Sequence, residues 1–249
     1  MDTAQGTASP RRFRPPLWAV LATVAACSAF AVLGTWQLRR GLHKQALLQD
    51  YSQATSAVPM DLAQAVPQAS IGGVAAQAHG EYEADRQLLL DGQEHGDDSG
   101  YDVWTPLRLP GGGLLIVNRG WIPAGRDRRS FPPLPAPPGT VSLRGIWRAL
   151  PEPGLQLGGP QCVPGQAPGG WPRVVVYPTA DDLRCYYGEP VAAGELLLDA
   201  AAPGGYVRQW QAAAGVIPPA RHFAYAAQWF AFALAALVLF VKLNLKSVP

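Results

Sequence analysis

The chain has 249 residues, of which 15% are charged, and its formal net charge at pH 7 is +2. Its 27 glycines and 25 prolines accompany a hydrophobic content of 48%, which is too apolar for a disordered chain and too rich in turn formers for a helical bundle. Residues 39–221 hold 15 basic and 17 acidic side chains, and this balance excludes a nucleic acid partner.

The two most apolar segments lie near the ends of the chain. Residues 17–38 and 223–241 contain no charged side chain, and at 1.5 Å per residue each is about 30 Å long as a helix, enough to cross a bilayer. We therefore predict transmembrane helices at 17–38 and 222–241. A cleaved secretory signal or a lipidation box before Cys27 is the alternative for the first segment, but the apolar run continues past both cleavage positions and ends near Trp36.

The orientation follows from the two short tails, residues 1–16 and 242–249, which both carry basic side chains. Short basic segments stay in the cytoplasm, whereas long domains are translocated largely regardless of charge. Residues 39–221 are thus predicted to form one extracytoplasmic domain. In an oxidising compartment Cys162 and Cys185 could form a disulfide, although their spacing is equally consistent with two reduced thiols.

The pattern of this domain predicts an α+β fold dominated by an antiparallel sheet. Residues 39–57 prolong the first helix, residues 61–66 form a helical turn, and residues 103–109 and 114–118 form a hairpin around a PGGG turn. Further strands are predicted at residues 74–79, 87–91, 141–149, 174–177, 195–199 and 206–210, with a short helix at 181–188. Residues 131–139 should be extended, and residues 151–172 form a long loop rich in Gly and Pro.

Sequence signatures of catalysis are absent. The chain has no Gly-rich phosphate loop, no nucleophile elbow and no CxxC pair. We therefore expect that this protein is not an enzyme.

Three motifs occur in a specific order: LGTWQLRR at residues 33–40, VNRGWIP at 117–123 and HFAYAAQWF at 222–230. Their order and spacing resemble the Surfeit locus protein 1 family, membrane assembly factors for heme-copper cytochrome oxidases. GYDVWTPLRL at residues 100–109 extends the resemblance, whereas residues 156–170 are the least family-like part.

The resemblance implies a factor for the maturation of oxidase subunit I at the step of heme a binding and insertion, without catalytic turnover. It implies a multi-pass protein of the bacterial inner membrane with a periplasmic domain, whose partners are subunit I, the heme a synthesis machinery and the lipid bilayer. The alternative is a membrane scaffold that stabilises subunit I without binding heme. A membrane-anchored enzyme that modifies heme or lipid is disfavoured by the missing catalytic groups.

The candidate heme site lies at the outer ends of the two helices. His222 opens the second helix and would supply an axial imidazole to the heme iron. The side chains that could surround the porphyrin are Tyr225 and Trp229, at i+3 and i+7 from His222, with Gln228 beside them, and Trp36 and Gln37 on the first helix. The alternatives are that His222 anchors the helix end by hydrogen bonds to water, backbone or lipid headgroups, that the aromatic rings are interfacial anchors, and that the glutamines form hydrogen bonds across the helices.

A second candidate site follows the predicted hairpin. Asn118, Arg119, Gly120 and Trp121 could form a surface for partner docking or heme gating. The alternative is a structural role, because Asn and Gly suit the turn at a strand end and a Trp can cover a core.

Overall fold

The computed structural model describes residues 11–68, 72–125, 127–128, 130–151, 159–163, 170–210 and 218–247. The chain divides into two compact units, one formed by Met1–Ala46 with Ala214–Pro249 and the other by Leu47–Ala213. The elements in chain order are β1 Arg11–Phe13, α1 Leu17–Ser56, β2 Met60–Asp61, α2 Leu62–Ala65, β3 Val74–Tyr82, β4 Leu88–His95, β5 Asp98–Arg108, β6 Leu114–Pro123, β7 Thr140–Arg148, β8 Arg173–Val175, α3 Ala180–Tyr187, β9 Val191–Leu198, α4 Pro219–Asn244 and β10 Leu245–Ser247.

The first unit is built on α1 and α4, the two described helices that are long and apolar enough to cross a membrane. In each helix only 6% of the most apolar window is buried, which distinguishes it from the core helix of a soluble domain. The two helices are antiparallel neighbours, because Phe13 contacts Phe240 at one end and Gln37 contacts His222 at the other. Strands β1 and β10 pair at the first of these ends, so residues 11–13 and 245–247 lie on the same side of the unit.

The second unit contains a sheet that closes on itself. Strands β3, β7, β9, β6 and β5 are neighbours in that order, and pairing of β3 with β5 completes a five-stranded barrel. Its interior is filled by alternate residues of these strands and is covered by α2. The inward side chains are Ala76, Ala78, Leu107, Leu115, Val117, Leu143, Trp147, Leu196 and Leu198, with Leu62 and Ala65 from α2.

A smaller layer lies outside the barrel. Strand β4 pairs with β5 and carries β8 at its other edge, and α3 covers the apolar face formed by β4, β5 and β6. The helix begins at Thr179, which exchanges hydrogen bonds with Asp182 in a capping box, and ends at Gly188 in the left-handed conformation. Close to the last turn, Cys185 forms a disulfide with Cys162 across a sequence separation of 23.

Most predicted elements are confirmed, and most strands are longer than the sequence indicated, although β8 is shorter. The hairpin of β5 and β6, the helical extension of α1 to Ser56 and the helix α3 all form, and residues 131–138 contain neither helix nor strand. The prediction of a strand at 206–210 is wrong, because Val207 alone makes a bridge, to Trp121. Most of the loop predicted at 151–172 lies outside the described residues.

The sheet is mixed, although antiparallel neighbours dominate as predicted. Among the described residues five neighbouring pairs are antiparallel, and three, β2 with β3, β4 with β8 and β6 with β9, are parallel. Because β6 and β9 are parallel, the chain must cross from one end of the sheet to the other between them. Helix α3 forms the last part of this connection, before β9, and it packs on the outside of the barrel.

Candidate functional site

The described part of the first unit brings two of the predicted site residues into direct contact. The Nδ1 atom of His222 lies 2.7 Å from the Oε1 atom of Gln37. His222 is 7% exposed, and its second ring nitrogen, Nε2, is buried without a hydrogen-bond partner. His222 stands in the first turn of α4, which begins at Pro219, a residue suited to the first position of a helix.

The contact is part of a close-packed seam between α1 and α4. On α1 the seam positions Phe30, Gly34, Gln37 and Gly41 alternate in steps of three and four residues, the spacing at which two helices pack with a small crossing angle. The ring of Phe230 rests on Gly34 and that of Phe223 rests on Gly41. A Cβ atom added to these glycines would lie 2.8 Å and 2.7 Å from ring carbons, so a larger residue at either position would force the phenylalanine ring to shift.

The remaining predicted heme-site residues lie around this seam. Trp229 stacks on Phe30, with ring centroids 5.9 Å apart and an interplanar angle of 24°. Tyr225 is 47% exposed, Trp36 is 57% exposed and Gln228 is also exposed. The structure therefore joins His222 with Gln37 and places Trp229 in the seam, whereas the other three side chains lie on outer surfaces of the helix pair.

The sequence interpretation missed the glycines and phenylalanines that flank the His222 contact. Gly34 and Gly41 are seven residues apart, as are Phe223 and Phe230. A repeat of seven residues returns to the same face of a helix, and small residues are typical of membrane helix interfaces. This seven-residue spacing in both segments was the sequence signal for a close-packed helix pair.

The motif at the end of β6 is mostly interior. Asn118 is fully buried, and its side-chain amide donates hydrogen bonds to Asp102 Oδ2 at 2.9 Å and to Glu195 Oε2 at 3.0 Å. Arg148 completes the group by donating from Nε to Glu195 Oε1 at 2.8 Å. Burial raises the pKa of Asp102 to about 6. The charge of Glu195 also raises this pKa, whereas the hydrogen bond from Asn118 lowers it.

Arg119 is held on all sides inside the second unit. Its side chain is 1% exposed and donates from Nε to the carbonyl of Gly204 at 2.8 Å and from Nη2 to that of Pro135 at 2.5 Å. The guanidinium carbon lies 5.4 Å from the ring centre of Tyr82 and 5.1 Å from that of Tyr206. Burial lowers the pKa of Arg119, but these partners satisfy its charge and its donors.

Burial of the first three members weighs against the docking interpretation of residues 118–121. The side chains of Asn118 and Arg119 are enclosed, and Gly120 is buried at a φ of +110°, which glycine adopts readily. Trp121 is only partly buried; its Nε1 donates to the Gln93 carbonyl at 3.2 Å. The structure favours the structural role for the buried members, and Trp121 alone retains an accessible face.

Comparison with protein families gives one match, in which the model of the SURF1 family covers residues 24–234. This range includes the seam between α1 and α4, the barrel and every candidate site residue. The chain belongs to the SURF1 family. No curated protein sequence matches the chain closely enough to be counted as a relative.

The SURF1 family, the Surfeit locus protein 1 family, comprises cytochrome oxidase assembly factors. Membership accordingly assigns this chain to oxidase assembly and makes the oxidase its partner. The two candidate membrane helices that flank the sheet domain in sequence are consistent with a membrane protein.

The chemistry available to this SURF1 protein at its helix pair is that of a single imidazole. Among the described residues no group of three or more His, Cys, Asp or Glu side chains is arranged to hold a metal ion. A histidine that donates through one ring nitrogen and leaves the other free has the arrangement of a metal-ligating histidine. The site offers one imidazole nitrogen, and among the described residues it does not fit a metal ion held by protein side chains alone.

Proposed function

We propose that this protein assists heme a insertion into subunit I of a cytochrome oxidase and holds the heme through Nε2 of His222. The observation that carries the proposal is the free, buried Nε2 atom at the end of the helix pair. A buried polar atom without a partner costs about 1–3 kcal/mol. Coordination to an iron atom would satisfy it.

The residues around His222 supply what an axial ligand needs. Gln37 accepts a hydrogen bond from Nδ1 and restrains the ring, while Trp229 and Phe30 offer aromatic surface two turns deeper along the seam. Bound heme a would contribute a redox-active iron with an open coordination position. The exposed ring of Tyr225, one turn from His222, could pack on the porphyrin from the outer surface of α4.

The proposal includes a location and a division of roles. Residues 11–13 and 245–247 pair at one end of the helical unit, which supports a multi-pass arrangement in the bacterial inner membrane with the sheet domain in the periplasm. The protein would receive heme from the heme a synthesis machinery and deliver it to subunit I without catalytic turnover. Its own residues bind and orient the heme; no described group of the site is arranged for chemistry on it.

A scaffold that stabilises subunit I without holding heme is the second candidate. It is favoured by the enclosure of Nε2, because in the closed seam His222 and Gln37 act simply as an interhelical hydrogen bond. The two functions differ in what they predict for a histidine substitution. A scaffold needs the helix pair, whereas a heme carrier needs the imidazole.

Complementation of a strain that lacks its own family member would test the proposal. Membranes would be assayed for heme a per subunit I after expression of the wild type, His222→Ala or the control His43→Ala, which removes an exposed histidine of α1. We expect a heme deficit with His222→Ala alone, at equal levels of all three proteins. Normal heme content with His222→Ala would favour the scaffold.

A further inference from the structure

The contact between His222 and Gln37 determines which ring nitrogen carries the proton. The atom of Gln37 that faces Nδ1 is the carbonyl oxygen Oε1, and a carbonyl oxygen can only accept a hydrogen bond. Nδ1 is therefore the protonated donor. In the neutral ring Nε2 is then the basic nitrogen with a free lone pair, and this atom has no partner.

In a metal-binding histidine one ring nitrogen binds the metal, and the other commonly donates a hydrogen bond to an oxygen atom. The hydrogen bond fixes the tautomer and the ring orientation, and it makes the ligating nitrogen more basic. Gln37 reaches His222 from the opposite helix, across a sequence separation of 185. The contact therefore requires that α1 and α4 remain neighbours at Gln37 and His222.

The packing on either side of this contact explains why the geometry is well defined. Gly34 lies one turn before Gln37 and Gly41 one turn after it, and each is covered by a phenylalanine ring of α4. The rings of Phe230 and Phe223 therefore fix the helix separation on both sides of the hydrogen bond. Since Nε2 is enclosed in this closed seam, the seam must open locally before an iron atom can reach it.

We infer that Gln37 is a positioning residue, whose carbonyl holds His222 with Nε2 as the iron-directed nitrogen within a seam that opens for the porphyrin. The inference rests on the proposed function, and it concerns the tautomer and basicity of the ligand rather than its identity. Gln37 itself contacts no iron. Its removal should weaken binding and change the electronic properties of the bound iron without preventing helix insertion.

The first test uses the heme-free protein and the histidine reagent diethyl pyrocarbonate, with modification mapped by mass spectrometry. Exposed His79 serves as the internal reference. In the wild type we expect His222 to react at least about tenfold more slowly than His79, because one nitrogen is bonded and the other enclosed. Gln37→Leu should raise the rate at His222 and leave that at His79 unchanged. Equal rates for both histidines in the wild type would show that the seam does not shield the ring.

The second test uses ferric protoporphyrin IX as the probe, titrated into the purified full-length protein in detergent. Gln37→Leu should weaken binding about 10–100-fold, the range for loss of a group that orients a metal ligand. Gln45→Leu, an identical change at an exposed position of the same helix, should not weaken it. Gln37→Glu keeps an oxygen acceptor and should restore binding.

The electronic readout separates positioning from packing. A stronger acceptor makes the imidazole a better donor to iron, so the reduction potential of the bound iron should increase in the order Gln37→Glu, wild type, Gln37→Leu. Equal potentials in the three proteins would overturn the inference while leaving His222 as the ligand. If His222→Ala instead binds the probe with unchanged affinity and spectrum, the proposed function itself fails.

Discussion

Replacement of Arg119 by methionine tests whether the motif at the end of β6 is structural. The side chain is 1% exposed and donates to the backbone carbonyls of Gly204 and Pro135. It also lies between the rings of Tyr82 and Tyr206. Methionine retains an unbranched apolar stem but provides no donor and no charge, so both carbonyls lose this partner.

The magnitude follows from these contacts. A buried polar group left without a partner costs about 1–3 kcal/mol, and a desolvated cation over an aromatic ring contributes about 0.5–2 kcal/mol. Methionine avoids the desolvation of a charge, which offsets part of the loss. We expect a net loss of about 3 kcal/mol in the free energy of unfolding, or about 6–12 °C in Tm for a unit of this size.

The assay is thermal unfolding of the full-length protein in detergent, followed by near-ultraviolet circular dichroism of its aromatic residues. Arg144→Met, at an exposed position of β7, is the matched control. A Tm for Arg119→Met within about 1 °C of the control, combined with defective oxidase assembly, would refute the structural interpretation. It would favour a docking role for Arg119.

Three further predictions concern other features of the chain. Reduction of the Cys162–Cys185 disulfide should lower the stability of the domain by about 3 kcal/mol, because the disulfide closes a loop of sequence separation 23. Urea unfolding with and without reductant would measure this loss of stability. A periplasm-dependent reporter should be active after Gly139 and inactive after Pro249, and the reverse pattern would overturn the orientation. The pKa of Asp102 is raised from 3.8 to about 6 in the folded state, which therefore binds the proton more tightly than the unfolded state. Stability should fall as the pH rises from about 4 to about 6, and Asp102→Asn should remove this contribution, so an unchanged slope would contradict it.

Local patterns were sufficient for most of the elements. The PGGG segment permits the positive φ angles of Gly112 and Gly113, so the hairpin of β5 and β6 could be predicted without knowledge of its neighbours. The long apolar runs likewise predicted α1 and α4, because their length alone matches a bilayer. In these cases the decisive interactions lie within one segment.

Closure of the barrel could not be predicted in this way. It depends on pairing of Tyr82 with Leu107 and of Glu81 with Arg108, which no alternation within either strand specifies. The wrong strand at 206–210 has a related cause. Strand β6 has an open edge beyond Asn118, where its pairing with β9 ends, and there Tyr206 and Val207 form backbone hydrogen bonds with Arg119 and Trp121 without continuing as a strand.

The sequence indicated that His222 and Gln37 lie close to each other, but it did not predict their hydrogen bond. His222 and Gln37 both stand at the outer ends of apolar runs, so the sequence indicated that they share a depth in the membrane. Their hydrogen bond depends on the rotation of one helix against the other. That rotation is set by Phe223 and Phe230 resting on Gly41 and Gly34.

The central claim is tested most directly by the visible absorption spectrum of the protein purified in gentle detergent from cells that make heme a. We predict a Soret band in the wild type and in His43→Ala, and its loss in His222→Ala at an equal protein yield. A wild-type protein without a Soret band, or a His222→Ala protein with the full wild-type spectrum, would contradict the claim that His222 holds heme.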